Sequence, residues 1–267
     1  MSTAAAEPSY RQIRVCRPVP EVLELTIGRG ERRNALNRET LDELAAALRA
    51  ARARCAILRG EGSSFSAGYD LKEALAVPPQ EAAERFVVPV RHEVFDLLAA
   101  GPFPVLATLQ GTVAGGGLEL AMACDMRIAA PDTRLSVPAG QLGLVYSRTG
   151  VQRIIDVCGP AVTRELFLFG RSVDAERAAR LGIVAEVVPP VGLLTRAREI
   201  AAELRGRAAA ATAANKRIIA TLRRSAAVLD RGIEDELDAL RAAGLGSAEF
   251  ERRLRAFAAG RPAGTVG

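Results

Sequence analysis

The sequence predicts an α/β protein that ends in an all-helical region. Three observations lead there: short strand-like runs alternate with stretches of helical periodicity, glycines and prolines mark the borders, and strand signals stop near residue 192. With 267 residues, 49% apolar and 25% charged, the chain suffices for one large domain or a domain with an appendage. That composition excludes disorder and collagen-like repeats. Aromatic residues make up 4% and tryptophan is absent, which argues against a base-stacking or sugar-stacking platform.

Residues 1–20 contain three prolines and no periodicity, and are expected to be a loose leader. VLELTI (22–27) alternates as a half-buried strand does. A Gly/Arg turn leads through NALN to ETLDELAAALRAA, whose apolar residues recur at helical spacing, and CAILRG (55–60) is a short strand ending at a glycine. The cadence then repeats. A helix is expected over roughly 81–100, a strand at VLATLQG (105–111) after Pro102 and Pro104, and a helix opening at the glycine run 115–117. MRIAA (126–130) is a strand stopped by Pro131, and another helix starts near Val151. Beyond 192, amphipathic helices are expected around 193–205, 209–224, 230–243 and 247–259. The chain thus divides into a leader (1–20), an α/β core (21–191) and a helical region (192–267).

Lysine and arginine total 36 against 31 acidic residues, and only Lys72 and Lys216 are lysines. Residues 1–195 hold 22 basic and 22 acidic side chains, so the whole excess falls in 196–267, with 14 and 9. Such a tail fits nucleic acid, an anionic small molecule or a solvated arginine face. No basic run exceeds two residues and acidic residues interleave, which makes nucleic acid the weaker partner. Cys16, Cys55, Cys124 and Cys158 lie far apart without CxxC spacing, and His92 is the single histidine. No disulfide framework or metal site is expected. The N-terminus lacks a signal-peptide layout and the longest uncharged run, 97–118, is broken by Pro102, Pro104 and glycines, so a cytoplasmic protein without a membrane partner is expected.

Two segments carry chemistry. SSFSAGYDLKE (63–73) is a small-residue turn between a strand and a helical start, and QGTVAGGGLELAMACD (110–125) is a strand running through three glycines into a helix. Glycines let backbone approach a ligand, and a helix start leaves N–H groups without internal partners. This suits a phosphate or a developing oxyanion, or only close helix packing. Neither GxxxxGK[ST] nor GxGxxG with a downstream acid is present, so phosphate binding is the weaker option.

Taken together, SFSAGYDLKE, GTVAGGGLELAMACDMRIAA and SVDAERAARLGIVAEVV resemble the crotonase (enoyl-CoA hydratase/isomerase) superfamily, from NALN near residue 34 to AFAAGRP at 256–262. The resemblance implies a spiral of ββα units with a C-terminal helical trimerisation region, assembled as a trimer or a dimer of trimers. It also implies an acyl-CoA thioester substrate whose enolate is held by two backbone N–H groups, with coenzyme A as part of the substrate and no separate cofactor.

By the same resemblance, the donors are the N–H groups of Tyr69 and Gly116, with Ala67, Gly68 and Gly115 beside them. The family usually has a small residue where Tyr69 stands, so a phenol is expected near the acyl pocket. Glu119 matches one of two family glutamates that perform acid/base work. Burial would raise its pKa and the helix terminus would lower it. Asn34, Ala35 and Leu36 match a backbone segment that holds CoA, and Lys72 and Arg261 match basic positions near its phosphates. Asp70 lies in the same loop, where capping is the simpler role, and a structural role is expected for His92.

The second family glutamate follows a proline, and here Ala139 follows Pro138. Hydration needs one group to activate water and another to protonate carbon. A methyl group does neither, so isomerisation or decarboxylation is favoured over simple hydration. LGxxY before a helix, with FSAG, an aromatic ring and DxxE, resembles the methylmalonyl-CoA decarboxylase branch. There Tyr146 or Glu119 would supply a proton and Arg148 would hold a carboxylate. The alternatives are a hydratase with a rerouted acid, an RNA-binding homologue and a catalytically silent one. The basic tail is expected near the CoA phosphates.

Overall fold

A computed structural model describes residues 9–72, 93–226 and 231–259. Six strands form the larger sheet: β1 (Ile13–Cys16), β2 (Val22–Ile27), β3 (Cys55–Gly60), β4 (Val105–Leu109), β6 (Met126–Ala129) and β9 (Glu186–Val187), in that spatial order. The first pair is antiparallel and the remainder are parallel. A smaller sheet contains β5 (Thr112–Ala114), β7 (Arg134–Ser136) and β8 (Val173–Asp174). After β4 the chain crosses to β5, enters the helix Gly116–Ala123 and returns at β6; after β6 it crosses to β7, runs through helices to β8 of the same smaller sheet, and returns through a further helix at β9. Ser66, bridged to Val113, supplies the equivalent crossing after β3. That repetition is a spiral of strand–strand–helix turns, and it confirms the expected architecture.

Parallel strands need both faces covered. On one face lie the helices Arg38–Ala50, Val94–Ala100 and Gly116–Ala123, with Leu41, Leu44, Phe95 and Leu118 buried in the main core. The helix Pro190–Leu204 covers the other with Leu193, Ala197, Ile200 and Ala201 packed on Val22, Ile57, Leu106 and Ile128. VLELTI is therefore buried on both faces rather than half-buried. Its Glu24 is tolerated because Arg198 of the covering helix approaches to 2.8 Å and Arg59 to 3.6 Å.

The leader is shorter than expected, because Ile13–Cys16 pairs with β2 and the backbone at Arg11, Gln12 and Ile13 donates to the Glu43 carboxylate. Strands of two to four residues, such as β5, β7, β8 and β9, are too short to give a periodic signal. The helices Ala209–Ala226, Arg231–Leu245 and Ala248–Ala258 match the expected tail. Lys216 anchors it: its buried ammonium donates to Leu98 O at 2.6 Å, Phe103 O at 2.9 Å and the Asp125 carboxylate at 2.6 Å. Of the helix expected over 81–100, the described part is Val94–Ala100; His92 and Arg261 lie outside the described residues.

Candidate active site

The two segments singled out in the sequence meet. Ser66 N donates to Thr112 O and Ala114 N to Ser66 O, which lays residues 66–70 along the strand leading into the glycine run. On its other side Leu36 N donates to Gly68 O at 2.7 Å and Asp70 N to Leu36 O at 2.9 Å. Gly68 has φ +95, and a Cβ there would stand 2.7 Å from Ala114 O and 3.1 Å from Gly116 N. Gly115 (φ 54, ψ −122) turns the strand into the helix Gly116–Ala123. Among the described residues, neither the Tyr69 N–H nor the Gly116 N–H donates to a backbone carbonyl.

Over this junction lies the Tyr69 ring, so close that a Cβ on Gly116 would sit 2.7 Å from it. The Tyr69 hydroxyl and Glu119 Oε1 are both buried without hydrogen-bond partners. Glu119, in the first turn of the helix, is 0% exposed, and its Oε2 lies 3.5 Å from Arg153 Nη1. Burial pushes the Glu119 carboxyl up to about 7, opposed first by Arg153 and then by Arg241. Gly150 makes room for it, since a Cβ there would meet the carboxylate at 2.8 Å. The Arg153 guanidinium is itself placed 4.2 Å over the Phe95 ring.

A small cavity of about 20 Å³ opens between Tyr69, Glu119, Tyr146, Ser147, Val145 and Arg241. Tyr146 stands edge-on to Phe167, and its phenol faces Gly115, where a Cβ would be 3.0 Å away. Burial holds both phenols well above their ordinary pKa, so they stay protonated at neutral pH. Ser147 caps the helix that follows by accepting from Gly150 N at 3.1 Å, which fixes Gly150 against Glu119. Among the described residues the site therefore contains two neutral phenols, one carboxyl raised to about 7, two guanidinium groups and two backbone N–H groups without a backbone acceptor.

Several expected site residues are placed elsewhere or otherwise occupied. Arg148 does not reach this cavity. It pairs with Glu234 at 2.9 Å and lines a separate cavity of about 360 Å³ with Arg223, Asp156 and Asp96. Ala139 is packed in the apolar core and lines neither cavity. The Asn34 amide is consumed in holding loops, accepting from Arg29 N and donating to Glu61 O and Ser64 O. Backbone N–H groups of Asn34, Ala35 and Leu36 are all bonded within the protein, and their carbonyl oxygens already accept from Ser66 Oγ, Arg29 Nη1 and Asp70 N, which leaves only second lone pairs for a ligand. Asp70 caps the next turn through Lys72 N and pairs with Arg29 at 2.9 Å and Arg32 at 3.3 Å. Ala67 N donates to Arg33 O, and Lys72 is exposed.

Part of the tail's charge is spent within the protein. Arg196 pairs with Glu186 and Glu199, Arg198 with Glu24, Arg223 with Asp156, Arg224 with Asp96 and Arg253 with Glu249. Arg198, Arg223 and Arg224 thus tie tail helices to the core, whereas Arg196–Glu199 and Arg253–Glu249 lie within single helices. Sequence reasoning missed Arg153, Gly150 and Arg241, whose partners come from distant segments.

The enoyl-CoA hydratase/isomerase family model matches residues 20–258. Carnitinyl-CoA dehydratase of Citrobacter koseri is 37% identical over 206 residues, 74% of this chain and 76% of that protein. Crotonyl-CoA hydratase of Syntrophomonas wolfei is 35% identical over 185 residues, 67% of this chain and 70% of that protein. Among solved structures, methylmalonyl-CoA decarboxylase complexed with 2S-carboxypropyl-CoA superposes with a TM-score of 0.87 at 26% identity, covering 97% of this chain and 100% of that one. The chain belongs to the enoyl-CoA hydratase/isomerase, or crotonase, family. No helix among the described residues is long and apolar enough to cross a membrane.

Proposed function

We propose that this protein is an acyl-CoA enzyme that forms a thioester enolate held by the backbone N–H groups of Tyr69 and Gly116. Both N–H groups lack a backbone acceptor, lie on segments laid side by side, and one opens a helix whose dipole favours negative charge. The single observation that carries the reaction type is that Glu119 is, among the described residues, the one carboxylate lining the cavity. Hydration asks for two acid/base groups. Isomerisation needs one group that removes a proton and returns it, and Glu119, pushed up to about 7, is suited to both halves.

Decarboxylation needs less. The bond from the α-carbon to the substrate carboxylate breaks, its electron pair enters the enolate, and carbon dioxide leaves. A proton from Glu119 or Tyr146, replaced from solvent, then completes the α-carbon. CoA would be held by carbonyl oxygens around Asn34–Leu36, with Lys72 and Arg261 near its phosphates. Exposed Ile218, Ile219 and Leu222 on one helical face support assembly as a trimer or dimer of trimers.

The test is turnover of crotonyl-CoA, a 3-enoyl-CoA and methylmalonyl-CoA in heavy water, each with a Glu119→Gln control. Deuterium should appear at the γ-carbon of the 2-enoyl product of isomerisation or at the α-carbon of the propionyl product of decarboxylation, and be lost in the variant. Absence of CoA thioester binding by calorimetry would remove the enzyme class.

A further inference from the structure

Two peptide groups stand in series behind the Tyr69 N–H. The peptide joining Gly68 to Tyr69 is trans, so its N–H points opposite to its carbonyl. That carbonyl accepts from Leu36 N at 2.7 Å, which aims the Tyr69 N–H away from residues 34–36. The Leu36 N–H belongs in turn to the peptide of Ala35, whose carbonyl accepts from Arg29 Nη1. A chain of hydrogen bonds thus runs from the Arg29 guanidinium through the Ala35–Leu36 and Gly68–Tyr69 peptides to the Tyr69 donor.

The head of this chain is fixed from several sides. Arg29 Nη2 donates to Asp70 Oδ2 at 2.9 Å, in a pair whose side chains are 8% and 5% exposed. Its backbone is held by Asn34, since Arg29 N donates to Asn34 Oδ1 and Asn34 N to Arg29 O. Asp70, which directly follows Tyr69, also donates through its N–H to Leu36 O at 2.9 Å. A buried ion pair adds little net stability to a fold. What this one supplies is direction: a planar fork spans an acceptor on each of two segments, and hydrogen bonds in series strengthen one another. We infer that Arg29 is a positioning residue of the oxyanion site, acting through the peptides of Ala35 and Gly68 to aim and polarise the Tyr69 N–H. This rests on the enolate-holding site proposed above and extends it to a residue on another loop.

Butyryl-CoA labelled with carbon-13 at the thioester carbonyl reads the effect, because a hydrogen bond to that oxygen lowers its infrared stretching frequency. Bound at saturation to the full wild-type chain, it should shift to lower frequency. Arg29→Met should lose on the order of 10–30% of that shift or more. Arg29→Lys, which reaches one of the two acceptors, should lose a smaller part, and it decides the matter should Arg29→Met fail to fold. Arg32→Met is the control: exposed Arg32 approaches the same Asp70 oxygen at 3.3 Å but does not head the chain, and its loss should leave the shift unchanged. An undiminished shift in a folded, saturated Arg29 variant, or an equal loss in Arg32→Met, overturns the inference while leaving the oxyanion site standing. Absence of binding, or binding without a shift, in the wild type removes the oxyanion site itself and the inference with it.

Discussion

Arg153 holds Glu119 through one oxygen, Nη1 to Oε2 at 3.5 Å, while Oε1 remains buried without a partner. A carboxylate fixed on one side and open on the other can be oriented by the protein and still exchange a proton with a ligand. Since Arg153 opposes the upward push of burial, Arg153→Met should move the Glu119 titration above about 7. The corresponding limb of the pH–rate profile should shift to higher pH, which a role confined to packing would not produce.

The same titration links to stability. Between the ordinary value of 4.5 and about 7 the native state keeps a proton that the unfolded chain has lost, so stability falls as pH rises through that window. Glu119→Gln should then stabilise the protein by about 1–3 kcal/mol at pH 8 and by little at pH 4. Urea denaturation at the two pH values checks it.

Gly150→Ala separates chemistry from folding. Alanine is favoured over glycine in a helix by about 1 kcal/mol, yet its Cβ would strike the Glu119 carboxylate at 2.8 Å. We expect kcat to fall about 10- to 100-fold through displacement of that carboxylate, with a small change in Tm.

Tyr69→Phe removes a buried hydroxyl that makes no hydrogen bond of ordinary geometry but lies near enough to Glu119 to lower its carboxyl, and keeps the backbone N–H. Stability should hold or rise by about 1 kcal/mol, and turnover should persist. A loss of turnover would assign the phenol a part in the chemistry.

Lys216→Met should destabilise by about 3–5 kcal/mol, because it strands the Asp125 carboxylate that the ammonium approaches to 2.6 Å. Arg148→Met, by contrast, breaks a half-exposed pair with Glu234 and should cost no more than about 1 kcal/mol. Chemical denaturation compares the two.

Local signals made much of this molecule legible. The glycine run, Glu119 in the following turn and the four tail helices follow from spacing along the chain. The junction of Gly68 with Ala114 and Gly116 was legible only through family resemblance. Arg153, Arg241 and Lys216 were not legible, since a guanidinium or ammonium gives no sign in sequence of which distant carboxylate or carbonyl it will meet. Arg148 misled for the same reason: its nearness to Tyr146 in the chain says nothing of which way its helix turns it. The short edge strand Ile13–Cys16 escaped notice because four residues beside Pro18 and Pro20 hold no usable period.

The central claim is that a single carboxylate forms and protonates an enolate here. Initial rates on crotonyl-CoA, measured beside those on methylmalonyl-CoA and a 3-enoyl-CoA, test it most directly. The account expects hydration to be slower by about a hundredfold or more than the better of the other two reactions. Rapid formation of 3-hydroxybutyryl-CoA, lost in Glu119→Gln, would contradict it.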